Sequence, residues 1–190
     1  MPMDMRVPRT QWLLLAGVMV VASLALAHPG QGSADYLTAE EADQVRQAQR
    51  IDWRVKVFLK IAERRLMLAE NPNATQSKKD EETWGPLPKG ARAEMLRQYA
   101  RAIDEIIINV EDAYERQAPL DHMLKALIIF REETGKHLVR LEALRTKITD
   151  EATRPVLEQT LDDLKLASDD ARQSEAEFKV KQEQQKKKKT

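Results

Sequence analysis

Residues 45–69 read Val-Arg-Gln-Ala-Gln-Arg-Ile-Asp-Trp-Arg-Val-Lys-Val-Phe-Leu-Lys-Ile-Ala-Glu-Arg-Arg-Leu-Met-Leu-Ala. Val45, Ala48, Val55, Leu59, Ala62, Leu66 and Ala69 recur at steps of three and four, with Ile51 and Phe58 widening the stripe and Asp52 interrupting it. That spacing builds one apolar face on an α-helix, whereas a strand would alternate faces every second residue. Upstream, Thr38 and Glu41 have capping-box spacing: the threonine oxygen accepts from a first-turn amide and the glutamate reaches back to the threonine amide. A helix is therefore expected from Thr38 to about Glu70, where Asn71-Pro72-Asn73 stops it.

The same period returns three times downstream. A second helix, about Ala91 to Gln117, has its seam at Leu96, Tyr99, Ile103, Ile106, Val110 and Ala113. A third, about Leu120 to Ile148, uses Leu120, Met123, Leu127, Phe130, Leu141 and Leu144, and Thr134, Gly135 and His137 weaken its middle. A fourth, fixed in its first turns by Pro155, uses Leu157, Leu161, Leu164, Ala167, Ala171 and Phe178. The fold class expected is all-α: an antiparallel helical bundle of about four helices over residues 38–178. Its long loop, 71–90, shows no helical period and ends in Trp84-Gly85-Pro86-Leu87-Pro88. Trp84 and Leu87 are expected to tuck onto the bundle while Ser77 to Glu82 stays solvated; Trp84 is also a candidate partner contact.

Residues 179–190 are mostly Lys, Gln and Glu and finish on Lys186, Lys187, Lys188 and Lys189. Too little apolar surface is present there to fold alone, so a disordered basic tail is expected. Its lysines are candidate contacts for anionic lipid headgroups, polyanions or an acidic partner, through charge and therefore weakly at high salt.

At the other end, Arg6 and Arg9 precede an apolar run from Trp12 to Ala27 that closes on Ala25-Leu26-Ala27 before His28-Pro29-Gly30. This is the three-part pattern of a secretory signal peptide over residues 1–27, with Ala25 and Ala27 as the small residues at cleavage. The apolar run is short for a membrane span. Residues 28–37 then read as a flexible arm. The expected location is the periplasm or the medium, with no membrane span after cleavage. Cysteine is absent. That excludes a lipid-anchored lipoprotein, disulfides, thiolate metal sites and c-type haem attachment. Residues 28–178 hold 23 basic against 29 acidic residues, a net charge of −6. An acidic body argues against nucleic-acid binding, which needs a basic stripe to neutralise phosphates.

Chemistry-bearing patterns are sparse. A carboxylate-bridged di-iron site needs Glu-x-x-His on two helices, whereas Glu133 and His137 are four apart and occur once. His122 and His137 lie about 22 Å apart along one expected helix and cannot share an ion; His137 falls on the apolar seam and reads as a core histidine. Cleavage after Ala27 would make His28 the N-terminal residue, able to chelate copper through its amine and imidazole, but no second ligand is apparent. Asp52, on the apolar stripe, could be a buried functional acid but reads first as a stripe edge or a local kink. No Gly-rich phosphate loop and no Gly-x-Ser-x-Gly elbow occurs. No catalytic residue, cofactor or metal ligand is expected, and the protein is read as not an enzyme.

Asp35-Tyr36-Leu37-Thr38, Glu40-Glu41, Val45-Arg46, Arg54-Val55-Lys56-Val57-Phe58-Leu59 and Ala62-Glu63-Arg64-Arg65-Leu66 resemble a family of uncharacterised exported helical proteins of bacteria. The similarity extends more loosely to Leu96-Arg97-Gln98-Tyr99 and Asp104. It implies a periplasmic or secreted helical protein and carries no site residues with it. The functional expectation is a non-catalytic interaction or scaffold protein of the cell envelope. The alternatives are a small periplasmic chaperone, because Leu37-Thr38 at a helix start is similar to the Leu-Thr motifs of helical stress chaperones, and a metal- or haem-binding bundle.

Overall fold

A computed structural model describes the backbone of residues 36–189 and the side chains of residues 36–187. The signal-peptide reading with Ala25 and Ala27, most of the arm, and His28 lie outside the described residues. Six helices and no strand occur among the described residues: α1 Ala39–Gln47, α2 Ile51–Glu70, α3 Lys78–Trp84, α4 Arg92–Glu115, α5 Leu120–Arg145 and α6 Arg154–Lys189.

The expected first helix is two helices. Thr38 forms the capping box with Glu41 and starts α1. The helix then breaks at Ala48–Arg50, and α2 restarts with Asp52 in its first turn. The break falls where the apolar stripe is interrupted: Asp52 is buried at the start of α2, and Arg50, just outside it, supplies the countercharge at 2.6 Å. An acidic residue in a first helical turn also meets the exposed amides and the positive end of the helix dipole. The long connection is not structureless either. Ser77 caps a two-turn helix, α3, by accepting from the Asp80 amide. Seven residues are too few to display an apolar period, so the element is invisible to that reading.

α2, α4, α5 and α6 form the bundle. Successive long helices alternate in direction, but the square is not the simple up-down arrangement in which every neighbour is antiparallel. α2 lies between α4 and α5, α6 also lies between α4 and α5, and α2 and α6 do not touch. Arg65 meets Gln98 and Arg92 meets Ala69, so α2 and α4 run antiparallel. Arg145 meets Glu158 and Arg131 meets Glu175, so α5 and α6 do as well. Glu63 meets His137 and Glu70 meets Arg140, so α2 and α5 run parallel. The cause is the tight link after α4. Gln117 takes φ 57°, Ala118 N–H donates back to Ala113 C=O, and Pro119 opens α5 across the diagonal.

The core runs through all four helices, with Leu66, Leu96, Ile106, Met123, Leu141, Leu157 and Leu161 at most 1 % exposed. α2 is covered twice. Its second side meets α1, which also touches α3. Trp84 and Leu87 pack half-buried against the core as the sequence suggested, and Tyr36 and Leu37, which the sequence reading assigned to the arm, pack there too. The C-terminal segment also differs from expectation, because α6 continues in one helix through Lys189. Lys, Gln and Glu are good helix formers, no Gly or Pro follows Pro155, and Glu175 pairs with Lys179 one turn on.

Candidate functional site

Two buried polar networks and one exposed basic helix end are where this fold departs from plain apolar packing. The first network sits on the outer side of α2. Glu41 is fully buried, and its carboxylate accepts from Arg64 Nε at 2.9 Å and from Arg65 Nη2 at 2.6 Å while keeping the capping bond to the Thr38 amide at 3.0 Å. Arg64 also donates to Gln76 Oε1 and to the Pro86 carbonyl, both at 2.7 Å, and reaches the Gly85 carbonyl. Arg65 donates to the Tyr36 carbonyl at 2.7 Å and to Gln98 Oε1 at 3.1 Å. Burial weakens Arg64's hold on its proton and Glu41 opposes that shift, but a guanidinium stays charged throughout. The result is a closed staple joining the chain before α1, the α3 connection, α2 and α4, with its donors already engaged.

Gly85 completes the staple. It sits at φ 68° and ψ −176°, a region open in practice only to glycine, and an added Cβ would fall 2.4 Å from Glu40 Oε2. Its carbonyl, thus oriented, accepts from Gln76 Nε2 at 2.7 Å as well as from Arg64.

The second network crosses α4, α5 and α2. The Tyr99 hydroxyl lies 3.1 Å from His137 Nδ1, and His137 Nε2 lies 3.2 Å from Glu63 Oε2. Arg140 then joins Glu63 to Glu70, which it holds by two bonds of 2.9 and 2.6 Å. With a neutral imidazole the only consistent assignment has Tyr99 donating to Nδ1 and Nε2–H donating to Glu63. Burial raises the Glu63 carboxyl, but the bonds from His137 and Arg140 outweigh it and leave the group below its ordinary value. Burial pushes the Tyr99 phenol far above its usual range, so it acts as a hydroxyl and not as a phenolate nucleophile. His137 is the core histidine that its seam position predicted. Both ring nitrogens are engaged, and the array fixes three helices in register.

The third place is the end of α6. Phe178 is the last core residue; its ring meets Tyr114 of α4 edge-on at 5.8 Å, and Lys181 lies 5.2 Å from it. From Lys179 to Lys187 no side chain is buried, and Lys186 and Lys187 are exposed. Lys188 and Lys189 continue the helix. The candidate contacts therefore fall in two places: the lysines share the end of α6, while Trp84 is half-buried at the end of α3. His122 sits apart, 3.7 Å from Asp121.

Among the described residues no group of three or more His, Asp or Glu is placed to hold a metal ion, and no helix is long and apolar enough to cross a membrane. The arginine staple was not read from the sequence. Its signal was present: residues 55–69 carry apolar side chains on every side, which marks a helix covered all round, and Arg64 and Arg65 inside it require a buried acid. No protein-family model, no curated protein and no solved structure matches this chain.

Proposed function

We propose that this protein is a non-catalytic, exported interaction protein of the cell envelope. The bundle is its rigid base, and the basic end of α6 is its contact with an envelope protein or an anionic surface. One observation carries the reading: the core closes at Phe178 while the helix does not. Turns that bury nothing add little to the stability of the bundle, yet they present Lys179, Lys181, Lys186 and Lys187 on a fixed backbone. A helix end rich in lysine on an acidic body attracts anionic partners through charge, an attraction that salt weakens.

The buried networks support a non-catalytic reading, because their strongest donors and acceptors are matched to each other. Export rests on the N-terminal pattern and on the resemblance to exported helical proteins. Cross-linking capture from intact cells, with the full chain and with a chain ending at Phe178, tests the proposal. The full chain should hold one envelope component that the shortened chain loses. Identical captures from the two would remove the tail from the account.

A further inference from the structure

A groove of 380 Å³ runs between the parallel helices α4 and α6, away from the basic helix end. Its apolar floor is Ala100, Pro155 and Val156. The charged side chains along it are sorted by sign. Arg97 and Arg101 come first along α4, and Asp104 follows, with Asp163 of α6 on the same groove. At about 1.5 Å per residue, Asp104 lies roughly 4.5 Å beyond Arg101 and 10.5 Å beyond Arg97 along the axis.

Among the described residues no salt bridge joins the two ends, although Arg101 is close enough to act on the Asp104 charge. Among the described residues, neither Asp104 nor Asp163 has a salt-bridge partner; Asp163 only accepts from Gln159 Nε2 at 2.7 Å. Arg101 has no salt-bridge partner either, and its guanidinium is held 4.8 Å over the buried Tyr36 ring. That stacking fixes a cation at the rim and leaves its N–H edge for an acceptor. Arg97 makes only an exposed 3.4 Å contact with Glu94.

We infer that this groove is a binding site for a short zwitterion of dipeptide size, with its carboxylate toward Arg97 and Arg101 and its ammonium toward Asp104 and Asp163. Two residues of extended chain span about 7 Å, within the 4.5 to 10.5 Å separation along α4. A free α-amino acid carries both charges on one carbon and reaches Arg101 and Asp104 but not Arg97. The side chains of the ligand would lie over Val156 and Pro155. Lost hydration and then the charges of Asp163 and Glu105 raise the Asp104 carboxyl above its ordinary value, and Arg101 only partly offsets them.

NMR titration of the full-length protein with alanyl-valine tests the inference, with N-acetyl-alanyl-valine, alanyl-valine amide and free alanine as controls. Saturable amide shifts confined to residues 97–104 and 155–163 are expected with alanyl-valine at millimolar concentration. Capping either terminus should weaken binding by about tenfold or more, the loss of one charge-assisted contact. Asp104→Asn should weaken alanyl-valine in the same way while the variant remains folded. Absence of saturable shifts, or equal binding of the capped forms or of alanine, would overturn the site.

Discussion

Glu41 shows how one side chain can be half legible. Its spacing from Thr38 predicts the capping box, and the box forms. Its larger task, neutralising Arg64 and Arg65, depends on residues 23 and 24 positions away and is not written in any local pattern. Removing one partner of a buried ion network leaves an uncompensated charge, which costs about 3–5 kcal/mol. Glu41→Gln should lower unfolding stability in urea by that amount, while Glu40→Gln, at an exposed neighbour, should change little. Two glycines give opposite expectations. Gly135 lies inside α5 with open space where a Cβ would go, so Gly135→Ala should stabilise by about 0.5–1 kcal/mol. Gly85→Ala should destabilise by about 1–3 kcal/mol, because its backbone conformation is strained for any residue with a Cβ, whereas the exposed Glu40 side chain in the way can swing aside. Urea melts of the two variants side by side would show opposite shifts of midpoint; equal signs would contradict the backbone reading.

Helix periodicity located α4, α5 and most of α6 because each shows one apolar seam to a four-helix core. It merged α1 with α2, since an apolar stripe does not reveal a break whose cause is a polar residue being buried at a helix start. Asp52, read as a stripe edge or kink, is that residue. It passed over α3, which is held by a cap and not by a stripe. It also stopped α6 at Phe178, the last residue of its apolar seam, although helix formers continue beyond it. If the residues after Phe178 are helical but carry no core, a chain ending at Phe178 should lose far-UV ellipticity per molecule while its melting temperature falls only slightly, by the loss of the Lys179–Glu175 pair and the Lys181 stacking. Ending the chain at Ala171 removes Glu175 and Phe178 and with them the Arg131 pairing and the Tyr114 contact. That chain should lose about 2 kcal/mol or more, by the cost of deleting a buried aromatic.

Paired carboxylates distributed over the whole molecule set its response to acid. Asp52, Glu63 and Glu175 are raised by burial but held below their ordinary values by Arg50, by His137 with Arg140, and by Lys179 with Arg131 respectively. A carboxyl whose pKa is lower folded than unfolded contributes stability that is complete above its unfolded value and lost as pH falls through the folded one. Stability should thus be level above about pH 4.5 and fall steadily below it. Asp104 has the opposite sign: its raised pKa means that ionisation opposes folding. Asp104→Asn should therefore raise the melting temperature slightly at neutral pH, since the side chain is exposed and its charge screened, with the gain vanishing below the ordinary carboxylate range.

The molecule as a whole reads as a bundle with a closed core and a lysine-rich helix end that runs on past it. Composition and periodicity reach that architecture but not the diagonal crossing, which follows from the left-handed Gln117 and its return bond after α4. They reach the lysines, but not the fact that a continuous helix presents them. The most direct measurement is a residue-level cross-link map in intact cells, comparing the native chain with one carrying Lys186→Gln, Lys187→Gln, Lys188→Gln and Lys189→Gln. Intermolecular cross-links should concentrate after Phe178 and fade in the substituted chain. Cross-links that fall on the bundle faces and persist after substitution would contradict this expectation.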